Sequence, residues 1–444
     1  MLKALCGVSV PHRKNTALLS PVVMPPPTVV TLPMSMHIGK PATPVVKVGD
    51  KVLLGDLIAE ASGPVSSPIY ASVSGTVKKI EDLLVSSGAY VPAIIIESDG
   101  EMTPSDKISP PVVTSYDEFI SAVNKSGIVG LGGAGFPTYM KFDVKDTSRI
   151  SEIIINCAEC EPYITSDTRT VLDRTEEIAE GIKLLEKFLD AKKIIFGIEK
   201  NKPQAIKKLQ DTFTSDPCVT VKVLPSVYPQ GAEKVLIYNT TGKIVPAGKL
   251  PIDAGCVVCN CTTLAEIARY IKTGMPLVSK CVTVDGDAIK EPKNVIVPIG
   301  TSISDLVGFC GGYKTEPKKI LYGGPMMGLS VPTGDEPILK NTNAVLAFGE
   351  KAAKEPPETQ CIHCGKCVTH CPLGLAPTAI AKAYEKRDGA ELVKLEVNLC
   401  MECGCCSFIC PAKRPLVQIN KLAKGVLRDY TAKQKALEQE AKNK

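Results

Sequence analysis

Two cysteine strings near the carboxyl end constrain this chain more than any other feature. Cys361, Cys364, Cys367 and Cys371 precede Pro372 in the spacing C-x2-C-x2-C-x3-C-P, and Cys400, Cys403, Cys406 and Cys410 precede Pro411 in the same spacing. Three thiolates two residues apart wrap one corner of an iron–sulfur cubane on a tight loop, the x3 step carries the fourth thiolate to the neighbouring cubane, and the proline ends the loop. The spacing therefore predicts two 4Fe-4S clusters, one on Cys361, Cys364, Cys367 and Cys410, the other on Cys400, Cys403, Cys406 and Cys371. Cys405 is left over. A zinc site takes four ligands and has no use for eight thiolates in two proline-terminated runs. The segment between the strings, LGLAPTAIAKAYEKRDGAELVKLEVN, reads as helix, because Ile380, Ala383 and Tyr384 share a face before Gly389.

With 444 residues the chain is too long for one ordinary core, and a prior of roughly 150 residues per domain implies about three modules or more. The formal charge of +5 is concentrated at the end, where residues 420–444 hold seven Lys or Arg against three Asp or Glu. The body is then nearly neutral, which argues against a nucleic-acid footprint. No apolar run approaches the roughly 18 residues needed to span a bilayer, and MLKALCGVSVPHRK is interrupted at Pro11 before a signal-peptide core forms. Eighteen cysteines without an export signal favour metal ligation in a reducing compartment over a disulfide scaffold.

Residues 44–77 alternate short β-branched runs with Gly-Asp and Pro turns, predicting a compact β-sandwich or barrel. Further on, SGIVGLGGAGFPTYMKF spells G-x-G-x-x-G at Gly130, Gly132 and Gly135, with Gly133 between and Phe136 and Lys141 beyond. A helix-like stretch, YDEFISAVNKS, precedes it, so the loop is not the strand-to-helix turn of a Rossmann site. Successive glycines either make an anion-accepting concavity of backbone N–H groups or simply a flexible loop. EIIINCAECEP reads as a strand that delivers Glu159 and Glu161 to the loop outside its carboxyl end, where α/β folds place chemistry and where solvated carboxylates are also common. Helix-like EEIAEGIKLLEKFLDA and strand-like KKIIFGIEK continue a β-α-β alternation. Cys157, Cys160, Cys256, Cys259 and Cys261 read as buried free cysteines in apolar strands or, given their uneven spacing less simply, as a further metal site.

In order, GLGGAGFPTYMKF, NCAECEP, YPQGAEKVLI and CNCTTLAEIARYI resemble the FMN- and NADH-binding subunit of respiratory complex I. With GVSVPHRKNTA, LPMSMHIGKPATPVVKVGD and the twin cysteine strings, the chain resembles more specifically the RnfC family, from Gly7 to about Ile419. Its members belong to the Rnf complexes, membrane-bound ferredoxin:NAD oxidoreductases. V-x-x-G-D-x-V-x-x-G followed by SGTV resembles the barrel-sandwich hybrid of biotinyl and lipoyl domains, but no modifiable lysine stands between Ala59 and Pro68. The stretch from VTVDGDAIKEP to GFCGGY resembles the β-grasp-like SLBB module, with Gly311, Gly312, Gly323, Gly324 and Gly328 read as turns.

The resemblance implies a multidomain α/β and α+β chain: an N-terminal extension and barrel-sandwich hybrid over 1–110, an FMN/NADH-binding α/β domain over 111–275, an SLBB module over 276–350, a helical two-cluster ferredoxin-like domain over 351–420, and a basic tail over 421–444. It puts Gly130, Gly132, Gly133, Gly135, Phe136 and Lys141 beside FMN, and Asn156, Glu159 and Glu161 along the flavin and nicotinamide pocket, the two glutamates at the reacting centre. Gly231, Glu233 and Lys234 would border that pocket, with Asn260 and Thr263 near the flavin phosphate. The family's N-A-D-E has Ala158 for its Asp, and its E-E-T is Ala232-Glu233-Lys234 here. The implied function is electron transfer between NAD(H) and ferredoxin through FMN and two clusters, by a peripheral subunit at the cytoplasmic face of the membrane, with other Rnf subunits as partners. A flavin and iron–sulfur cobalamin reductase shares these modules, and an adaptor without flavin is the non-enzymatic alternative.

Overall fold

The computed structural model describes residues 7–85 and 88–442. Two small antiparallel sheets form the first module: Val29–Pro33, Tyr90–Ser98, Gly75–Leu84 and Lys51–Val52 in that order, and Thr43–Pro44, Leu57–Glu60 and Ile69–Tyr70. Along Tyr90–Ser98 the residues Val91, Ala93, Ile94 and Ile96 are buried, and Ile94 and Ile96 face the core they share with Leu32, Ile58 and Val77.

The second module is a four-stranded parallel sheet in the order Val219–Leu224, Ile194–Glu199, Glu152–Cys157, Cys256–Asn260. Its isoleucine run explains why helices cover both faces. Ile153 and Ile155 point to the core that holds the helices Thr175–Leu189 and Cys261–Thr273, while Ile154 points to the opposite core with Leu236 and Ile237. Each such buried side chain stabilises the fold by about 2–3 kcal/mol. The chain winds outward from Glu152–Cys157 in one direction and returns to its other side with Cys256–Asn260, so the carboxyl ends of these neighbours flank the switch point where α/β sheets open a ligand crevice. Asn156 and Asn260 stand opposite each other in the register. The helix Tyr116–Lys125 enters this module under a reciprocal cap, Ser115 Oγ accepting from Glu118 N and Glu118 Oε2 from Ser115 N.

The third module is a six-stranded mixed sheet ordered Val22–Val23, Lys293–Pro298, Ser279–Asp285, Ala344–Phe348, Lys319–Tyr322, Leu329–Val331, with the helix Ile303–Phe309 on it. Its first strand comes from the N-terminal extension, which the family resemblance grouped with the barrel-sandwich hybrid. Val22 and Val23 pair with Val295 and Ile296, and Pro25, Pro26 and Pro27 then end the pairing for lack of N–H donors.

The last module is helical. Its connector is two helices where one was expected: Pro377–Glu385 stops where Arg387 turns left-handed, and Asp388 caps Gly389–Lys394 by accepting from Glu391 N at 2.9 Å. The tail is also not separate. A single helix, Leu416–Lys442, runs through position 420, packing Ala423, Val426 and Leu427 against Ile380, Leu392 and Val397 before its charged end stands free of that core. No helix among the described residues is long and apolar enough to cross a membrane.

Candidate flavin and iron–sulfur sites

The glycine loop lies over the switch point. It follows the helix Tyr116–Lys125, as its sequence indicated, and closes on itself: Gly130 N donates to Phe136 O at 2.8 Å and Gly135 N to Gly130 O at 3.1 Å. Gly133 and Gly135 hold φ of 114° and 67°, conformations that favour glycine. Leu131 N donates to Thr263 Oγ1 at 2.9 Å. Asn260 caps the Cys261–Thr273 helix, its Oδ1 accepting from Thr263 N and its Nδ2 donating to Asp167 Oδ2 at 2.7 Å. A Cβ at Gly132 would stand 3.0 Å from Asn260 Nδ2, so the loop and the helix start are in close approach. Gly130 to Gly135, Phe136, Asn260 and Thr263 are thus brought together. The residues suit a flavin phosphate: the N–H groups of Gly132, Gly133 and Ala134 belong to exposed residues and bond to nothing among the described residues, beside the N-terminus of a 13-residue helix.

Across the crevice, Asn156 Nδ2 donates to Gly231 O at 2.9 Å and its Oδ1 accepts from Ala158 N, which ties the strand end to the 228–231 loop. Lys141 Nζ meets Glu233 Oε1 at 2.7 Å with both side chains about one-third exposed (30% and 38%), so the pair is open to a ligand and contributes little to stability. Lys234 is half-buried on the same helix start.

Glu159 and Glu161 are positioned otherwise than as free groups at a loop tip. Glu159 has φ of 43° and turns its carboxylate onto the start of the Ser166–Asp173 helix, accepting from Asp167 N at 2.7 Å and Thr168 Oγ1 at 2.5 Å. Glu161 accepts from Met326 N at 3.0 Å and Met327 N at 2.8 Å, in the third module. Burial pushes both carboxyls up to about 7. Beneath them Lys14 Nζ donates to the carbonyls of Glu159, Glu161 and Ile164. Lys14 lies in the string GVSVPHRKNTA, but nothing in its spacing indicated a contact 145 residues away.

The cysteine strings cross over. One small cavity is lined by Cys400, Cys403 and Cys406 and by Cys371 of the other string, with the spare Cys405 on its wall. Burial raises the Cys371 thiol, and the proximity of Cys403 and Cys400 raises it further. Four thiols from two strings around one cavity fit a cubane. Cys410 packs in one apolar cluster with Cys367, and Thr359 N donates to Ala412 O, which draws the start of the first string to the end of the second. The second string also touches the 228–231 loop. Buried Tyr228 donates its hydroxyl to Cys403 O at 2.7 Å, Cys405 Sγ donates to Tyr228 O at 3.8 Å, and Gly231 N donates to Cys160 Sγ at 3.4 Å. Tyr228 stands in the YPQG string that marked this loop, yet its reach to the cysteines was not legible there. Cys157, Cys160, Cys256, Cys259 and Cys261 are all buried.

An α/β module with an anion-accepting loop, bonded to a helical module with crossed cysteine strings, defines a flavin and iron–sulfur electron-transfer protein. Family models agree module by module: the RnfC barrel sandwich hybrid domain matches residues 3–101, the Nuo51 FMN-binding domain 123–269, the SLBB domain 281–330 and the 4Fe-4S dicluster domain 356–423. The C subunit of the Na(+)-translocating ferredoxin:NAD(+) oxidoreductase complex of Acetobacterium woodii is 41% identical over 426 residues, covering 94% of this chain and 95% of that one. Its counterpart in the proton-translocating ferredoxin:NAD(+) oxidoreductase complex of Clostridium ljungdahlii is 40% identical over 408 residues, covering 90% and 88%. An NAD+-reducing NiFe hydrogenase in its H2-reduced state shares the fold over 69% of this chain and 61% of its own, at a TM-score of 0.50 and 19% identity. The chain belongs to the RnfC family.

Proposed function

We propose that this chain is the subunit of an ion-translocating ferredoxin:NAD oxidoreductase that exchanges hydride with NAD(H) and single electrons with the rest of the complex. Supporting the reading are its family membership, the FMN-binding and dicluster modules, and the names of its relatives. We assign one cluster to Cys361, Cys364, Cys367 and Cys410 and the other to Cys371, Cys400, Cys403 and Cys406. FMN is the cofactor that takes a hydride as a pair of electrons and releases electrons singly, which neither NAD nor a cluster does. The amides of Gly132, Gly133 and Ala134 would hold its phosphate, and Asn156, Gly231, Lys141 and Glu233 would border the nicotinamide. Glu159 and Glu161 shape the floor of that pocket through their backbone bonds, and no side chain is needed as nucleophile or general acid. The chain sits at the cytoplasmic face of the membrane, with the ion path in partner subunits.

The observation that carries the proposal is the bond from Tyr228 to Cys403 O, because it joins the second cysteine string directly to the flavin-side loop. The cluster on Cys371, Cys400, Cys403 and Cys406 is then the one next to the flavin. The half-exposed string with exposed Cys364 and Ile362 faces outward, where a partner delivers or takes electrons. Anaerobically reconstituted protein with FMN and about eight irons should bleach in its flavin and cluster bands on adding NADH. Fully loaded protein that stays unreduced by NADH would end the reading.

A further inference from the structure

The glycine loop is held from outside its own module. Its alternate carbonyls accept from three different segments: Lys280 Nζ donates to Leu131 O at 2.6 Å, Asn341 Nδ2 to Gly133 O at 2.9 Å, and Ile38 N to Gly135 O at 2.9 Å. Lys280 and Asn341 belong to the six-stranded sheet and the segment entering its central strand; Ile38 belongs to the barrel-sandwich region. Because a peptide is planar, fixing a carbonyl fixes the direction of the N–H on the same plane. The pinned carbonyls of Leu131 and Gly133 therefore set how the free amides of Gly132 and Ala134 present themselves to an anion, with the Gly133 amide held between these two fixed planes.

Asn341 is itself anchored. The Lys340 side chain beside it is fully buried and donates to Ser67 Oγ at 3.1 Å, Pro68 O at 2.5 Å and Gly127 O at 2.8 Å, reaching the barrel-sandwich region and the entry to the glycine loop at once. The Asn341 side chain also lies 3.1 Å from where a Cβ at Gly135 would stand. No turn within residues 130–135 supplies these restraints.

We propose that Asn341, with Lys280, is a positioning residue for the flavin: the third module orders the phosphate-accepting loop of the second, and flavin affinity depends on that docking. This rests on the flavin reading above. In it, the loop binds tightly because its amides are aimed before the ligand arrives.

The test is Asn341→Asp, which keeps size and removes the donor at a half-buried site, with Lys280→Met as a second, independent variant. Hydrogen exchange of the amides of residues 132–135 is measured in FMN-free protein, and FMN affinity by quenching of its fluorescence. Each variant should weaken FMN binding about five- to tenfold, the loss expected for one hydrogen bond, and speed loop exchange by a similar factor. Iron content should stay at the wild-type level in Asn341→Asp. Wild-type exchange and wild-type FMN affinity in that variant overturn the proposal. Loss of iron together with flavin also overturns it, since Asn341 would then be a general structural residue. If wild-type protein binds no FMN, the flavin reading fails instead, and loop exchange in the two variants still decides whether they order the loop.

Discussion

Lys340 offers the sharpest check on how the modules are joined. Its ammonium is 1% exposed and meets only neutral acceptors, so burial pushes it from 10.5 down to about 7. The unfolded chain then binds more protons than the folded one between these values, and stability must rise with pH across that window and be lost as pH falls towards 7. The whole interval is worth about 5 kcal/mol, at about 1.4 kcal/mol per pH unit. From about pH 7 to about pH 8.5, below the ordinary thiol value of 9.0, Lys340 alone should add about 1.6 kcal/mol. Lys280, lowered to about 8 by burial, adds about 0.8 kcal/mol in the same range, and Glu159 and Glu161 together subtract about as much, because raised carboxyls lose their contribution as pH climbs through 7. His37, the titratable neighbour that feels the Lys340 charge, is pushed down to about 4 mainly by burial and stays neutral throughout.

Lys340→Met isolates the effect. It removes the Lys340 donors from Pro68 O and Gly127 O and leaves them only the Ser67 hydroxyl, which lowers stability, but by an amount independent of pH. The difference between wild type and variant in the pH slope of the urea transition should therefore be about one proton, or about 1.6 kcal/mol over the range. Parallel slopes would show that Lys340 keeps its proton in the folded chain across this range, and would refute the cost of burial from which the slope is derived.

Other outcomes follow from the site. Cys371→Ser and Cys400→Ser should extinguish the same paramagnetic centre and Cys410→Ser the other, each dropping iron from about eight to about four; different centres lost by the first two would undo the crossed assignment. Tyr228→Phe leaves the Cys403 carbonyl without its buried donor, a loss of about 1–3 kcal/mol at the contact between the second string and the flavin-side loop. Stopped-flow should show slower cluster reduction with NADH-to-flavin transfer unchanged, and equal cluster rates would refute the contact's role. Glu199→Ala strands buried Lys202, which sits 2.7 Å from the carboxylate and donates also to Ala158 O under the pocket. A destabilisation of about 3–5 kcal/mol is expected, and an unchanged urea midpoint would contradict it.

Much of this molecule is legible along its sequence wherever spacing is local. The isoleucine run of Glu152–Cys157, the helix over Thr175–Leu189 and the strand Ile194–Glu199 follow from periodicity, and the cysteine strings announce their own crossing. Periodicity did not show the break at Arg387, where one left-handed residue and an Asp cap restart the helix while Ile380 and Leu392 still reach one core. Contacts made over long separations left no trace either. Asn341 and Gly133 are 208 residues apart, and KNT at 340–342 looks like any polar loop. Glu159 and Glu161 stood at the loop the sequence indicated, but only burial and the donors of Asp167, Met326 and Met327 show that their carboxylates point into joints.

Those joints share one chemistry. Lys14, Lys280 and Lys340 each reach from one segment to backbone carbonyls of another, Lys14 to three around residues 159–164 and Lys340 to three polar groups around 67–68 and 127. An ammonium has three donors in a compact head, so it can collect carbonyls from segments that no side-chain pair would bring together. An apolar seam between modules tolerates sliding by a residue or a rotamer. A buried ammonium does not, since misdocking leaves it without acceptors at a cost of several kcal/mol. These lysines contribute little net stability for their burial, as the lowered values of Lys280 and Lys340 show, and what they supply is a single docked arrangement. That trade suits a chain whose glycine loop, buried glutamates and cysteine strings come from different modules, because the proposed flavin site is complete only when every joint is made.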